Sequence, residues 1–464
     1  MTSTTEDEAD SGGTDGRAEP PGPFQSELYP QLLRRPAIRS AQEKTNKSQS
    51  VIDAVIVPTI RSAEQLRSAV KLAADSGSHL ITLHTDRFPS ELTAVLGKSG
   101  RGAVTPLALR SGARHTLLDL AANLPQKLPS SSAFDISRKR NLGLLIGRAC
   151  GWTRMLLLDD DIQWLNLAKL RAAASLLRED KYPVVGIQVT DKYPDASVIG
   201  HARRMVGYDH KPFISGGSLL VNPQRLNGFF PAVYHEDWLC ILDHLRLGEV
   251  AVSGRVGQGP YDPFANPDRA RIEEFGDILA SGLLWLVHAA RNKVIPQVEV
   301  IPQVALSETN REALSNYWRE AMRVDFWKEV LEQRAKLLDE LALLLKRRPK
   351  IDIAPLDSVR AAQRRRSELS PEEFVSFINA WVGNLTKWRD RTSCLAGADS
   401  VDKALVDLGL LHAVRLFEGK RAKVRATLAY GKSSAFQISA KARDAGFGLF
   451  RDDLDQTTPG ESRA

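Results

Sequence analysis

The sequence predicts an α/β fold: a mainly parallel, Rossmann-like single sheet covered by helices, followed by a helical C-terminal region. Three observations predict it. From residue 51 to about 255, short β-branched apolar runs alternate with amphipathic stretches, as in a covered parallel sheet. One of those runs, Met155-Leu156-Leu157-Leu158, leads straight into three carboxylates, Asp159-Asp160-Asp161, and strands of open α/β sheets meet their ligands at their carboxyl ends. Beyond about residue 270, apolar residues recur at helical spacing instead.

Composition bounds the rest. The chain has 464 residues, room for two or three folded units plus tails. It is 43% hydrophobic and 26% charged, the balance of a globular protein with a large core. A net charge of +7 is weaker than a dedicated nucleic-acid binder would carry, so no nucleic-acid partner is expected, while an anionic small substrate is compatible. Cys150, Cys240 and Cys394 are far apart with no CxxC pair, which argues against a disulfide framework or zinc site and for a reducing, cytoplasmic setting. The polar, acidic start MTSTTEDEAD is unlike a signal peptide. The most apolar window, Ile278 to Ala290, is too short to span a bilayer and reads as a core helix.

Taken in order, residues 1–48 are rich in Gly, Pro, Ser, Thr and acids and read as a disordered tail, with the part after Pro30 a packing arm. Residues 51–60, VIDAVIVPTI, read as the first strand. Ser62 and Gln65 have capping-box spacing, predicting a helix to Ser76 that Gly77 closes. Residues 79–85 form the second strand, ending at Asp86, and 104–109 a third. Residues 135–150, DISRKRNLGLLIGRAC, place Leu142, Leu145, Ile146 and Ala149 on one helical face, with Asp135 or Ser137 as cap. Arg138, Lys139, Arg140 and Asn141 fill the first turn, where cations oppose the helix dipole unless an anion joins them; the alternative is a solvated basic turn.

Past the acids, 166–177 reads as a helix, 183–189 as a strand and 191–211 as a loop. Residues 212–221, PFISGGSLLV, read as a strand whose Gly216-Gly217 pair marks close approach of a ligand or a plain bulge. Residues 234–247 form an amphipathic helix opening with His235, Glu236 and Asp237; 249–254 is a strand and 258–267 a loop. Helices follow over 311–348, from the Ser370-Pro371-Glu372-Glu373 capping box, and over about 401–417; the Phe and Trp stripe from Phe374 to Trp388 is core. Residues 451–464 read as a flexible tail.

Alternation along an extended chain puts Asp159 and Asp161 on one side and Asp160 on the other. Two such carboxylates suit a divalent cation such as Mg²⁺, which is held by one or two carboxylates plus substrate phosphates. His235 and Asp262 are candidates for a further metal or substrate contact.

In this order the motifs resemble a family: nucleotide-sugar-dependent glycosyltransferases of the A-type fold, the family-2-like group. The residues that carry it are VIVPTIR; Asp86 after the second strand; SRKRNLGLLIGRACGWTRMLLLDDDI; and SGGSLLV followed by HEDWL. The resemblance covers roughly 51–300 and makes 49–300 the catalytic domain and 301–450 a helical region without counterpart. It implies sugar transfer from a nucleotide-diphosphate donor to an unknown acceptor hydroxyl, with Mg²⁺ or Mn²⁺ at Asp159 and Asp161. It implies donor contacts from Thr59, Arg61, Asp86, Arg138, Arg140, Asn141 and Asp160. Gly216, Gly217 and His235 fall on the acceptor side. In an inverting enzyme, the expected course, Asp237 is the base, with Glu236 second.

Three rivals stand beside this reading. A phosphohydrolase with Asp159 as nucleophile wants Thr or Val where Gln163 stands. A nucleotidyltransferase wants a glycine-rich loop where Pro58-Thr59-Ile60-Arg61 stands. A non-catalytic sugar-nucleotide-binding or scaffold protein would use the helical region as a partner surface. Basic clusters at Lys346-Arg347-Arg348 and Arg364-Arg365-Arg366 mark a peripheral membrane contact or exposed helix ends.

Overall fold

The computed structural model describes residues 24, 26–36, 50–89, 91–96, 103–112, 114–122, 131–163, 165–178, 182–189, 196–208, 214–291, 317–348, 353–410 and 414–415. Of the tails expected at 1–48 and 451–464, residues 1–23, 25, 37–48 and 451–464 lie outside them.

The strands are β1 (Ala54–Pro58), β2 (His79–Thr85), β3 (Val104–Leu109), β4 (Met155–Leu158), β5 (Ile162–Gln163), β6 (Val184–Val189), β7 (Ser218–Val221), β8 (Val250–Gln258) and β9 (Val414–Arg415). They form one sheet in the order β5-β8-β6-β7-β4-β1-β2-β3-β9. Between them run α1 (Arg67–Ser76), α2 (Leu92–Leu96), α3 (Ser131–Ala149), α4 (Leu167–Arg178), α5 (Val198–Met205), α6 (Glu236–Cys240), α7 (Leu242–Leu247) and α8 (Asp268–Arg291). The helical region adds α9 (Val324–Lys346), α10 (Ile353–Glu368), α11 (Pro371–Thr392) and α12 (Val401–Asp407).

The strands are buried on both faces, which is why they read as unbroken apolar runs. Along β1, Ala54 and Ile56 face one core while Val55 and Val57 face the other; along β4, Met155 and Leu157 separate from Leu156 and Leu158 in the same way. The first core takes in α3, α8, α9 and α11, and the second takes in α1 and α4. A third cluster joins Val198 and Ile199 of α5 to Leu338 and Leu341 of α9 and Val359 of α10.

The sheet is mixed: most of its strands run parallel, as expected, but β5, β7 and β9 run against their neighbours, so it is not the plain Rossmann-like sheet expected. β1 pairs in parallel with β2 and β4, β2 with β3, and β6 with β8. β7 runs against both β4 and β6, and β5 and β9 run against their neighbours. After β6 the chain turns through α5 and returns from the carboxyl end of the sheet, so it needs no crossover to the other end. Leu158 of β4 thus pairs with Ser218 of β7, and residues 214–217 lie where β4 ends.

Other expectations change too. Residues 26–30, read as part of the disordered tail, join the stretch after Pro30 in packing on the fold: Tyr29 and Leu32 are buried, and the Arg34 backbone bonds Val250 and Val252 of β8. Ser62 makes no side-chain cap; a 3-10 turn, Ala63–Leu66, leads into α1 instead, and Gly77 closes that helix in the left-handed region. The loop expected at 191–211 contains α5, capped by Ser197. The helix at 234–247 breaks at Ile241 into α6 and α7. The capping box at α11 forms, with Ser370 N–H donating to Glu373 at 2.8 Å, and Phe374, Phe377, Trp381 and Trp388 are buried. Lys346, Arg347 and Arg348 are exposed at a helix end, whereas Arg366 is tied to the Leu331 carbonyl. No helix among the described residues is long and apolar enough to cross a membrane.

Candidate functional site

The strand order reverses between β1 and β4: from β1 the chain builds outward through β2 and β3, then returns to add β4 on the other side. Open α/β sheets bind ligands in the crevice at such a switch point. A cleft of about 660 Å³ opens there. Its walls are the β1 turn (Thr59 to Arg61), the middle of α3 (Asp135, Lys139, Arg140), the acidic triplet, Ser215 and Gly217 before β7, residues 234–238, and the start of α8 (Arg269, Glu273).

The triplet does not alternate as an extended chain would. β4 ends at Leu158, and Ile162 N–H closes a turn on the Asp159 carbonyl at 3.2 Å. Asp160 and Asp161 share Arg61, at 3.1 and 3.2 Å, while Asp159 faces away toward Arg140. Thr59 hydroxyl donates to Asp160 at 2.6 Å. Burial raises the Asp160 pKa, Thr59 and Arg61 draw it back, and its two acidic neighbours push it up again. Asp161 accepts from Arg61 and from Gln258 (3.3 Å) on one oxygen, and among the described residues its buried Oδ1 has no hydrogen-bond partner.

The basic run on α3 splits because each residue turns about 100° from the last. Arg138 donates to the carbonyls of Arg110 and Ser111 (3.3 and 3.4 Å), away from the cleft. Lys139 donates to Thr59 O at 2.9 Å and Asp135 at 2.6 Å, and burial lowers its pKa. Arg140 donates to both oxygens of Asp159 (2.8 and 3.1 Å) and to Glu236. Asn141 is fully buried and exchanges two 2.8 Å bonds with the Phe230 backbone. Neither Arg138 nor Asn141, both expected at the donor, lines the cleft. Asp86, at φ 59°, accepts from Ser111 N–H at 2.7 Å and also lies outside the lining. Lys139 and Arg269 line the cleft but were not among the expected site residues; for Lys139, the Asp135–Lys139 spacing of one helical turn was the available signal.

The glycine pair lies in the turn before β7. A Cβ on Gly216 would stand 2.4 Å from Arg140 Nη1, and one on Gly217 would stand 3.0 Å from Asp159 Oδ2. Close approach of a buried guanidinium, rather than a bulge, explains Gly216.

Across the cleft, His235 holds φ 63°, a conformation uncommon outside glycine and often found at functional sites. It directs the next two acids into the cleft. Asp237 accepts from Gly216 N–H (2.6 Å) on one oxygen and from Trp238 N–H (2.8 Å) on the other. Glu236 is buried, and its pKa rises to about 7: burial and repulsion from Asp237 and Asp159 outweigh its share of Arg140. Arg140 stays charged despite burial because Asp159, Glu236 and Asp237 surround it. His235 stacks on Trp238 at 3.8 Å and bonds Asp277 of α8 at 3.1 Å. Asp262 lies outside the lining and accepts from Phe264 N–H at 2.9 Å.

Seven carboxylates and four Lys or Arg side chains line this cleft. Its acid excess suits a cation. Among the described residues, no three His, Cys, Asp or Glu side chains converge to hold a metal alone. The donor on offer is Asp161 Oδ1, while both Asp159 oxygens are engaged by Arg140.

No family model matches the chain, and no curated protein matches it. Among solved structures it is similar to a mannosyltransferase from Pyrobaculum calidifontis in complex with GDP-Man and Mn2+, at 11% identity over 78% of this chain and 93% of that chain, with a TM-score of 0.35. A likeness at that level carries nothing about the site.

Proposed function

We propose that the protein is a glycosyltransferase of the A-type fold, moving a sugar from a nucleotide-diphosphate donor to an acceptor hydroxyl in this cleft. The observation that carries the reading is the acidic turn Asp159–Asp161 at the switch point, facing Thr59 and Arg61 on one side and the Glu236–Asp237 pair on the other. The acid excess argues that an anionic diphosphate enters with a divalent cation.

The residues fit Mg²⁺ or Mn²⁺ held by one carboxylate, Asp161, with the remaining ligands from phosphate and water. Such an ion neutralises charge on a departing diphosphate. Thr59 and Arg61 orient Asp160 and the donor end of the cleft, and Lys139 fixes the Thr59 turn from beneath. Of the acid pair, Glu236 suits the base better than Asp237, which reverses the expected order. A carboxyl titrating near neutral pH can take up and release a proton there. Asp237 has both oxygens on backbone N–H groups and orients the turn.

The test is a thermal-shift panel of UDP, GDP and their sugar conjugates, with and without Mn²⁺. A nucleotide at 100 times its Kd adds about 2.7 kcal/mol of stability. Stabilisation is expected only when nucleotide and Mn²⁺ are both present, and Asp161→Ala should abolish the dependence on Mn²⁺. Tight, metal-independent binding by that variant would remove Asp161 from the metal role.

A further inference from the structure

A buried chain of charges runs from the helical region to the cleft. Arg334 of α9 forms a two-pronged pair with Glu274 of α8, at 2.8 and 2.7 Å. The same guanidinium holds Asp277 Oδ2 at 2.8 Å, and Ser197 hydroxyl donates to that oxygen at 3.2 Å. The other oxygen, Oδ1, meets His235 Nε2 at 3.1 Å. Arg334, Glu274, Asp277 and His235 are all buried. The Phe24 ring lies under the Arg334 guanidinium at 5.1 Å, and Tyr29 meets the edge of Trp238 at 5.9 Å, so these two residues brace both ends of the chain of charges.

Burial opposes the charge on Asp277, but Arg334 and then His235 hold its pKa well below the carboxylate range. Burial likewise opposes the charge on His235, and the hydrogen bond and charge of Asp277 raise its pKa in spite of that. Two carboxylates meet one arginine here, and the second of them, Asp277, also meets His235.

His235 keeps a left-handed backbone that a non-glycine residue adopts at a cost, and such conformations persist only where the surroundings over-determine them. Its ring is fixed on one face by Trp238 and at Nε2 by Asp277. We infer that Asp277 and Arg334 are positioning residues: through His235 they fix the turn that directs Glu236 and Asp237 into the cleft. The helical region would then complete the site without touching substrate. The catalytic part of this inference rests on the reading of Glu236 and Asp237 given above; the structural part does not.

The experiment compares Asp277→Asn with Glu274→Gln in the full chain. Both substitutions remove one carboxylate charge from the same buried cluster, but only Asp277 touches His235. Amide hydrogen exchange is followed across 234–240, and nucleotide-sugar hydrolysis by water is measured with Mn²⁺ and the donor the protein binds. Asp277→Asn should speed exchange over 234–240 at least tenfold and lower kcat at least tenfold at unchanged donor KM. Glu274→Gln should lower the melting temperature and leave both readouts near wild type. Arg334→Lys, which keeps the charge but loses the fork, should fall between wild type and Asp277→Asn. Equal effects from Asp277→Asn and Glu274→Gln, or unchanged exchange in Asp277→Asn, overturn the inference. If no nucleotide sugar is turned over, the transferase reading fails, while the exchange comparison still decides the structural part. If Asp277→Asn does not fold, Arg334→Lys carries the same comparison.

Discussion

Glu236 and Asp237 are adjacent in sequence, yet their surroundings separate them. Asp237 is fixed by two backbone N–H groups, whereas Glu236 shares one arginine with Asp159 in a buried site. The pKa of Glu236 rises from an ordinary 4.5 to about 7. A raised carboxyl stabilises the fold in its protonated form. That contribution is full below the ordinary value and is lost as pH climbs through about 7. Urea titrations of wild type and Glu236→Gln between about pH 4 and 8 should therefore diverge. Wild type should lose roughly 3 kcal/mol relative to the variant, at about 1.36 kcal/mol per pKa unit. A flat difference, or one of opposite slope, would mean that Glu236 is ionised throughout and is no base near neutrality. The same scale shows what residue type alone leaves open: Arg138, Lys139 and Arg140 are similar in sequence, and only their 100° steps around α3 decide which two meet the cleft.

At the scale of elements, the reversed strand β7 matters most. It carries Gly216 and Gly217 to the carboxyl end of β4, where a parallel strand would have carried them away. Arg140 lies against the bare Cα of Gly216, so Gly216→Ala should displace the guanidinium and free both Asp159 and Glu236. Overpacking of this kind costs about 1–3 kcal/mol. The expected outcome is a loss of that size in urea unfolding together with loss of Mn²⁺-dependent nucleotide binding. Wild-type binding by Gly216→Ala would show that the Arg140 clamp is dispensable. The strands themselves were legible because burial on both faces leaves long apolar runs. α5 was not, since its short helix is held by tertiary contacts to α8 and α9: Val198 N–H donates to Glu273 at 2.8 Å, and Ile199 packs in the cluster with Leu338.

For the whole molecule, packing crosses the boundary expected near residue 300. Trp388 of α11 packs on Phe229 at 5.7 Å, in the segment that also takes hydrogen bonds from Ser137 and Asn141 of α3. Asn384 donates to the Leu120 carbonyl at 3.1 Å, and β9 adds to the edge of the sheet beside β3. One core runs through both regions. Trp388→Ala should therefore cost about 3–5 kcal/mol, the range for a large buried aromatic, in a single cooperative urea transition. A second transition, or a loss below about 1 kcal/mol, would make the helical region an appended unit.

By itself, the sequence determined the α/β class, the position of the main strands, the acidic triplet at the end of β4 and the Glu236–Asp237 pair beyond it. These are local properties, set by the period of apolar residues and by where it breaks. Only the tertiary structure decided the partners. It turned Asp159 to Arg140 and left Asp161 with an unpartnered oxygen, because the chain leaves its extended course at Leu158. It brought Arg140 to Glu236 across 96 residues of sequence and Arg334 to Asp277 across 57. No periodicity encodes such pairings; they follow from which buried charges must find one another once water is excluded.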